Sequence, residues 1–279
     1  MDFQILKPET ASISREIWNT VKIRWQFWSI FAVAFISSIT LWIIATFNML
    51  GDWSPNPGAE VVFIPFFVVV IYIIAVGEKV RASFWKQFAE INGWRYHHSG
   101  DLNQEAGVMF QQGNNGTISH CIEGGVDKRL FRIFTYAFSI GSGKNKRAYH
   151  YTVFAFKFNG SFPHIYLNRR YNLYGVNVGE KVPLPAEFEK KFFLSAPKKY
   201  EIEALEIFTP DVLARLLDSE FAHDVELVDQ EVLIFTAGRI NNFEQLEKEF
   251  NRALELEDLL DEKLDKFKFQ PIGDMPHSL

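Results

Sequence analysis

Seven histidines and one cysteine are the residues of this chain with the widest chemical reach, because imidazole and thiolate bind metals and move protons. Their spacing gives no zinc centre. His97-His98, His120-Cys121, His150, His164 and His223 contain no pair at i, i+4 on a helix and no Cys-x-x-Cys. A phosphate loop fails on spacing as well: Gly141-Ser142-Gly143-Lys144 breaks the required pattern at Phe138 and at Asn145, and lies between two strand-like runs. A serine nucleophile has no elbow to sit on, since Ile140-Gly141-Ser142-Gly143 lacks the second half of Gly-x-Ser-x-Gly and its strand-to-helix setting. The acids crowd the C-terminal third, where a run along one helix reads as a solvated face. The expectation is therefore no catalytic residue, no metal ligand and no cofactor. An enzyme assembled from scattered residues is kept as an alternative.

Charge is distributed unevenly, and this is the most informative functional feature. Residues 94–185 carry a net +6, residues 186–279 a net −11, and residues 1–93 balance. The basic residues gather at turns and strand ends: Lys128, Arg129 and Arg132, then Lys144, Lys146 and Arg147, then Arg169 and Arg170. Anionic lipid attracts such residues by about 1 kcal/mol each, so these eight are the candidate lipid contacts. Ordinary solvation of loop residues is the alternative. Nucleic acid is not an expected partner, because a chain of net charge −5 with an acidic half repels a polyanion over most of its surface.

These residues must be positioned by the elements around them, and the dominant elements are two apolar runs. No charge occurs between Arg24 and Asp52, which is long enough to cross about 30 Å of hydrocarbon. The second run, Val61 to Gly77, is bounded by Glu60 and Glu78 and has Pro65 in its first turn. The first run starts too late and continues too long for the core of a cleaved signal peptide. Lys7, Arg15, Lys22 and Arg24 precede the pair and Lys79, Arg81 and Lys86 follow it, whereas the connection has only acids, so both termini are expected on the cytoplasmic side of an inner membrane. A single cysteine fits a reducing compartment.

The expected layout is a cytosolic segment over 1–24, a first transmembrane helix over 25–50, an external loop over 51–60 and a second transmembrane helix over 61–77. A juxtamembrane helix over 78–93 follows, ended by Gly93, then a cytosolic α+β domain over 94–269 and a flexible tail over 270–279. Within the α+β domain, period-two alternation from Thr117 to Arg169 predicts an antiparallel sheet of four or five strands. One hairpin is expected at Gly141 to Lys146, another at Asn159-Gly160, and a third across Asp229-Gln230-Glu231. The glycosylation-like tripeptides at Asn115 and Asn159 are better explained by their Asn-Gly turn chemistry. Thr209-Pro210-Asp211 starts a helix, and Asn242 caps a long amphipathic one whose stripe is Phe243, Leu246, Phe250, Ala253, Leu256, Leu260 and Leu264. That stripe covers the sheet or, alternatively, forms a dimeric coiled coil.

The order of two spans, a β-rich middle, Phe188-Glu189-Lys190-Lys191-Phe192, Glu203-Ala204, Thr209-Pro210-Asp211-Val212-Leu213 and the Val232 to Phe235 strand resembles a family of bacterial two-span membrane proteins known only as a domain of unknown function. Leu205 stands where that pattern has arginine after Glu-Ala. The resemblance implies an inner-membrane setting and no activity. The expected function is a membrane-anchored interaction or assembly module with a lipid bilayer, a membrane or cytosolic protein, or a second copy of itself as partner. A small-ligand sensor and a membrane-bound hydrolase are the alternatives.

Overall fold

The structure, a computed structural model, describes residues 5–9, 12–23, 25–48, 64–126, 129–169, 176–218 and 221–264. The chain divides into two compact units, one of Pro8–Gln87 and one of Met1–Lys7 with Phe88–Leu279.

The first unit is helical. α1 (Ile13–Ile23) begins directly after Ser12 and repeats Ile13, Ile17 and Val21 on one face, where Ile13 and Val21 are buried. α2 (Trp25–Asn48) holds 24 residues without a charge. The indole of Trp28 donates to the Val21 carbonyl at 3.0 Å and so fixes the join between the two helices. α3 (Ile64–Ile91) carries the second apolar run and continues through the expected juxtamembrane segment without a break. Gly93, at φ +73°, stops it, with Trp94 N–H closing on the Ala89 carbonyl at 2.8 Å. Among the described residues, no helix is long and apolar enough to cross a membrane. The expected external loop, the start of the second span and the C-terminal tail lie outside the described residues.

The second unit is α+β, built on one antiparallel sheet with seven strands among the described residues; the stretch from Thr117 to Arg169, expected to give four or five, gives three long ones. Its strands are β1 (Arg95–Ser99), β2 (Asn114–Val126), β3 (Arg129–Ile140), β4 (Arg147–Arg169), β5 (Glu180–Val182), β6 (Phe192–Ala196) and β7 (Asp224–Ala237). Short helices α4 (Ala186–Glu189), α5 (Glu201–Ile207) and α6 (Pro210–Asp218) precede the long α7 (Phe243–Leu264). The β3–β4 turn forms where expected, with Gly141 and Gly143 supplying the positive φ.

The other two expected hairpins do not exist. β4 runs through Asn159-Gly160 and β7 runs through Asp229-Gln230-Glu231, and the two strands pair with each other along nearly their whole length. Lys157 faces Glu231 and Phe162 faces Asp229, so residues 158–161 of β4 stand opposite Gln230 alone. Both strands bend at this shared bulge, and Asp229 takes φ +53° to do so. Before the bend β4 has β3 on its other side; after it β6 takes that place, pairing from Tyr166 to Arg169.

The two faces of the sheet are covered differently. On one, the α7 stripe lies over aromatic residues, with Phe250 5.1 Å from Phe131 and 6.1 Å from Phe154, and Trp94 4.9 Å from Phe131. Every stripe residue is buried within the chain, as the sheet-covering reading expected, which leaves no apolar seam for a coiled coil. On the other face, Phe134, Tyr136, Phe138, Tyr151, Val153 and Phe235 lie beneath the irregular segment 102–113, whose Met109 and Phe110 enter the same cluster.

Candidate functional site

Charged and hydroxyl side chains concentrate where the irregular segment meets the bent β4–β7 pair. Arg132 of β3 projects between two carboxylates, bidentate to Glu105 and 2.8 Å from Glu231 of β7. Burial opposes its charge, yet the hydrogen bonds and charges of Glu105 and Glu231 hold the guanidinium above the ordinary arginine range. A second anchor sits one bend further along. The fully buried Glu226 of β7 accepts from the Val108 N–H at 2.5 Å and lies 2.6 Å from His164 Nε2 of β4. A Cβ at Gly107 would stand 2.8 Å from Glu226 Oε2 and 2.9 Å from Leu233, so a side chain there would displace one or both. Asp224, also fully buried, accepts from the Arg169 N–H at 2.7 Å.

Burial first, and the Asp224 charge second, push the Tyr151 and Tyr166 phenols well above the usual tyrosine range. Burial also raises Tyr136 to about 12 and the Cys121 thiol to about 11, so that sulfur is a packed thiol and not a thiolate. The acids and arginines close on one another or on backbone amides, fastening segment 102–113 to the sheet. Among the described residues no group of three or more His, Cys, Asp or Glu side chains converges on a metal-sized point.

The eight basic residues proposed from sequence are dispersed. Lys128 and Arg170 lie outside the described residues. Arg129 pairs with Glu257 at 2.8 Å and with Asp258, both on α7; burial works against its charge, and these acids raise its pKa all the same. Arg169 donates to the Phe221 carbonyl at 3.0 Å and lies over the Phe192 ring. Lys144, Lys146 and Arg147 are exposed together at the β3–β4 turn. Arg129 and the turn mark opposite ends of β3, about 36 Å apart at strand rise, so the basic residues do not form one continuous patch.

No family model and no curated protein matches this chain. Its fold is similar to that in the crystal structure of the mycobacterial trehalose monomycolate transport factor A, TtfA, at a TM-score of 0.50 and 13% identity, covering 68% of this chain and 97% of that one. The likeness to TtfA concerns the fold alone.

Away from the charged anchors, a cleft of about 570 Å³ opens between α6 and α7, lined by Arg215, Leu216, Phe221, Arg252, Leu256 and Glu262 among others. Its volume falls in the range of small-molecule sites. It shares no residue with the Arg132 and Glu226 anchors, and it is not legible in the sequence because its walls come from two amphipathic helices and Phe221, whose apolar residues read as core. The anchors were equally invisible, since Val108 and Glu226 are 118 positions apart and Arg132 and Glu231 are 99 apart.

Proposed function

We propose that this chain is a membrane-anchored interaction module, with α2 and the apolar first part of α3 inserted in the inner membrane and both termini cytoplasmic. The observation that carries the reading is the outward apolar surface of the first unit. α2 has no charge over 24 residues, and Ile30, Val33, Ile36, Phe67, Ile71 and Ile74 are each at least 60% exposed. Water solvates such a surface poorly, and lipid solvates it well. Kinship with the two-span bacterial family belongs to the same proposal. The likeness to TtfA is compatible with a module role on this fold, and what that transport factor handles is not transferred at 13% identity.

The test is alkaline carbonate extraction of membranes containing the full-length protein. Wild type stays in the pellet, while Val33→Arg with Ile36→Arg, each costing about 3 kcal/mol at a helix centre, leaves the membrane fraction. Release of wild type by carbonate would overturn the anchor.

Among the described residues, lipid contact narrows to Lys144, Lys146 and Arg147, because Arg129, Arg132 and Arg169 are engaged inside the fold. Hydrogen exchange at the 141–147 turn should slow in anionic nanodiscs relative to zwitterionic ones, and replacing the three by Gln should abolish the difference. Equal exchange in both lipids would remove the contact. The α6–α7 cleft favours a second reading, a small-ligand sensor, which predicts a ligand-dependent rise in melting temperature.

A further inference from the structure

We propose that Tyr96, His98 and His120 form a binding site for one borderline transition-metal cation such as Zn²⁺ at the β1 edge of the sheet. Two neighbouring strands build it. Tyr96 and His98 stand two apart on β1 and so share a face, while His120 comes from β2, in the gap between the His97–Cys121 and Ser99–Ser119 pairs. β2 carries a bulge here: its partners on β3 jump from Thr135 opposite Ser119 to Ile133 opposite Ile122. His120 sits in that bulge at φ +53°, a conformation uncommon for any residue but glycine, and a bulge of this kind re-aims the side chain it carries.

The re-aimed ring meets the other two. The Tyr96 phenol oxygen is 3.0 Å from His120 Nδ1 and 3.5 Å from His98 Nδ1, and the two imidazoles lie 5.5 Å apart edge to face. A tetrahedral zinc site with ligand bonds of about 2.0–2.1 Å has ligand-to-ligand edges of about 3.3 Å, and the two measured separations bracket that value. His120 is 1% exposed, Tyr96 is half-buried and His98 is exposed, so the ion would reach the site from the His98 side. The set is two imidazole nitrogens and one phenol oxygen, which takes up the cation as the phenolate and releases one proton. This leaves a fourth position open to water, and it ties the edge strand to the bulge of its neighbour. His97 is not part of it: its Nε2 is 4.0 Å from Glu123, which is held in turn by Arg95 at 3.0 Å.

The site is tested on the full-length, tag-free protein by titration with Zn²⁺ and with Co²⁺, whose visible absorption reports tetrahedral coordination. The expected result is one saturable site per chain, a tetrahedral Co²⁺ spectrum and an ultraviolet difference band from the ionised phenol. His98→Gln, with its metal-free melting temperature measured alongside wild type as the control for folding, should weaken binding at least tenfold; Tyr96→Phe should remove the phenolate band. His97→Gln should bind as wild type does. Absence of saturable binding, unaltered affinity in His98→Gln, or an equal loss in His97→Gln would each overturn the site.

Discussion

The sheet has one face closed by a regular helix and the other by an irregular segment, and the two closures rely on different forces. α7 brings seven apolar stripe residues at helical spacing, and burial of Phe250 against Trp94, Phe131 and Phe154 holds it down. Segment 102–113 has no period to offer. It contributes Met109 and Phe110 to the core, and is pinned by Glu105 to Arg132 and by Val108 N–H to Glu226. A helix satisfies its own backbone and needs only an apolar stripe, whereas an irregular segment over a sheet must find partners for its polar groups or leave them desolvated.

The largest expected effect tests the helical closure. Phe250→Ala should destabilise the full-length protein by about 4 kcal/mol, because the ring touches three aromatic neighbours and the cavity cannot collapse between a helix and a sheet. Urea denaturation followed by tryptophan fluorescence measures it, with Trp94 as an internal reporter. A loss under about 1 kcal/mol would mean that the stripe is not what closes this face. Arg132→Met probes the opposite face and should cost about 2 to 3 kcal/mol, since it leaves the nearly buried Glu105 and the partly exposed Glu231 without their cation. Combining it with Glu105→Gln should restore part of the loss; purely additive effects would argue that the pair is incidental.

How much could be read beforehand follows the same division. The α7 stripe, its Asn242 cap, the Thr209-Pro210 helix start and the Gly141 to Lys146 turn were legible because each is set by residues within a few positions. Turn chemistry was recognised correctly elsewhere and assigned to the wrong structure. Asn115-Gly116 and Asn159-Gly160 both sit at register shifts inside long strands, and Asp229 takes its positive φ opposite the second of these. A residue tolerant of φ above zero can end a strand or bulge it, and the choice belongs to the neighbouring strand. The Arg132 and Glu226 anchors and the Tyr96, His98 and His120 cluster depend on strand register, which no local pattern encodes.

A smaller effect separates cap from stripe. The Asn242 side chain accepts from Gln245 N–H at 2.7 Å, so Asn242→Ala should cost about 1 kcal/mol without changing which residues α7 buries. Hydrogen exchange should then rise in the first turn of α7 and not at Leu256 or Leu260. Exchange rising uniformly along the helix would show that the cap and the stripe act as one unit.

The smallest effect asks whether the helical closure has an electrostatic anchor besides Arg129 with Glu257 and Asp258. Glu249 of α7 lies 2.8 Å from His223 Nε2, and that hydrogen bond, opposed by burial and aided by the charges of His223, Arg252 and Lys248, holds the carboxyl below its ordinary 4.5. A carboxyl depressed in the folded state contributes stability that is fully present above its unfolded pKa and is lost as pH falls through the folded one. The melting temperatures of wild type and Glu249→Gln should therefore differ by a constant amount just above pH 4.5 and converge as the pH falls below it. The gap between wild type and Phe250→Ala should stay open over the same window, because no proton is linked to the burial of a phenyl ring. If both gaps close together, acid acts on the whole α7 contact and the pair at Glu249 is not a separate anchor; if only the Glu249 gap closes, the helical closure has a second charge-based fastening beside that of Arg129 with Glu257 and Asp258.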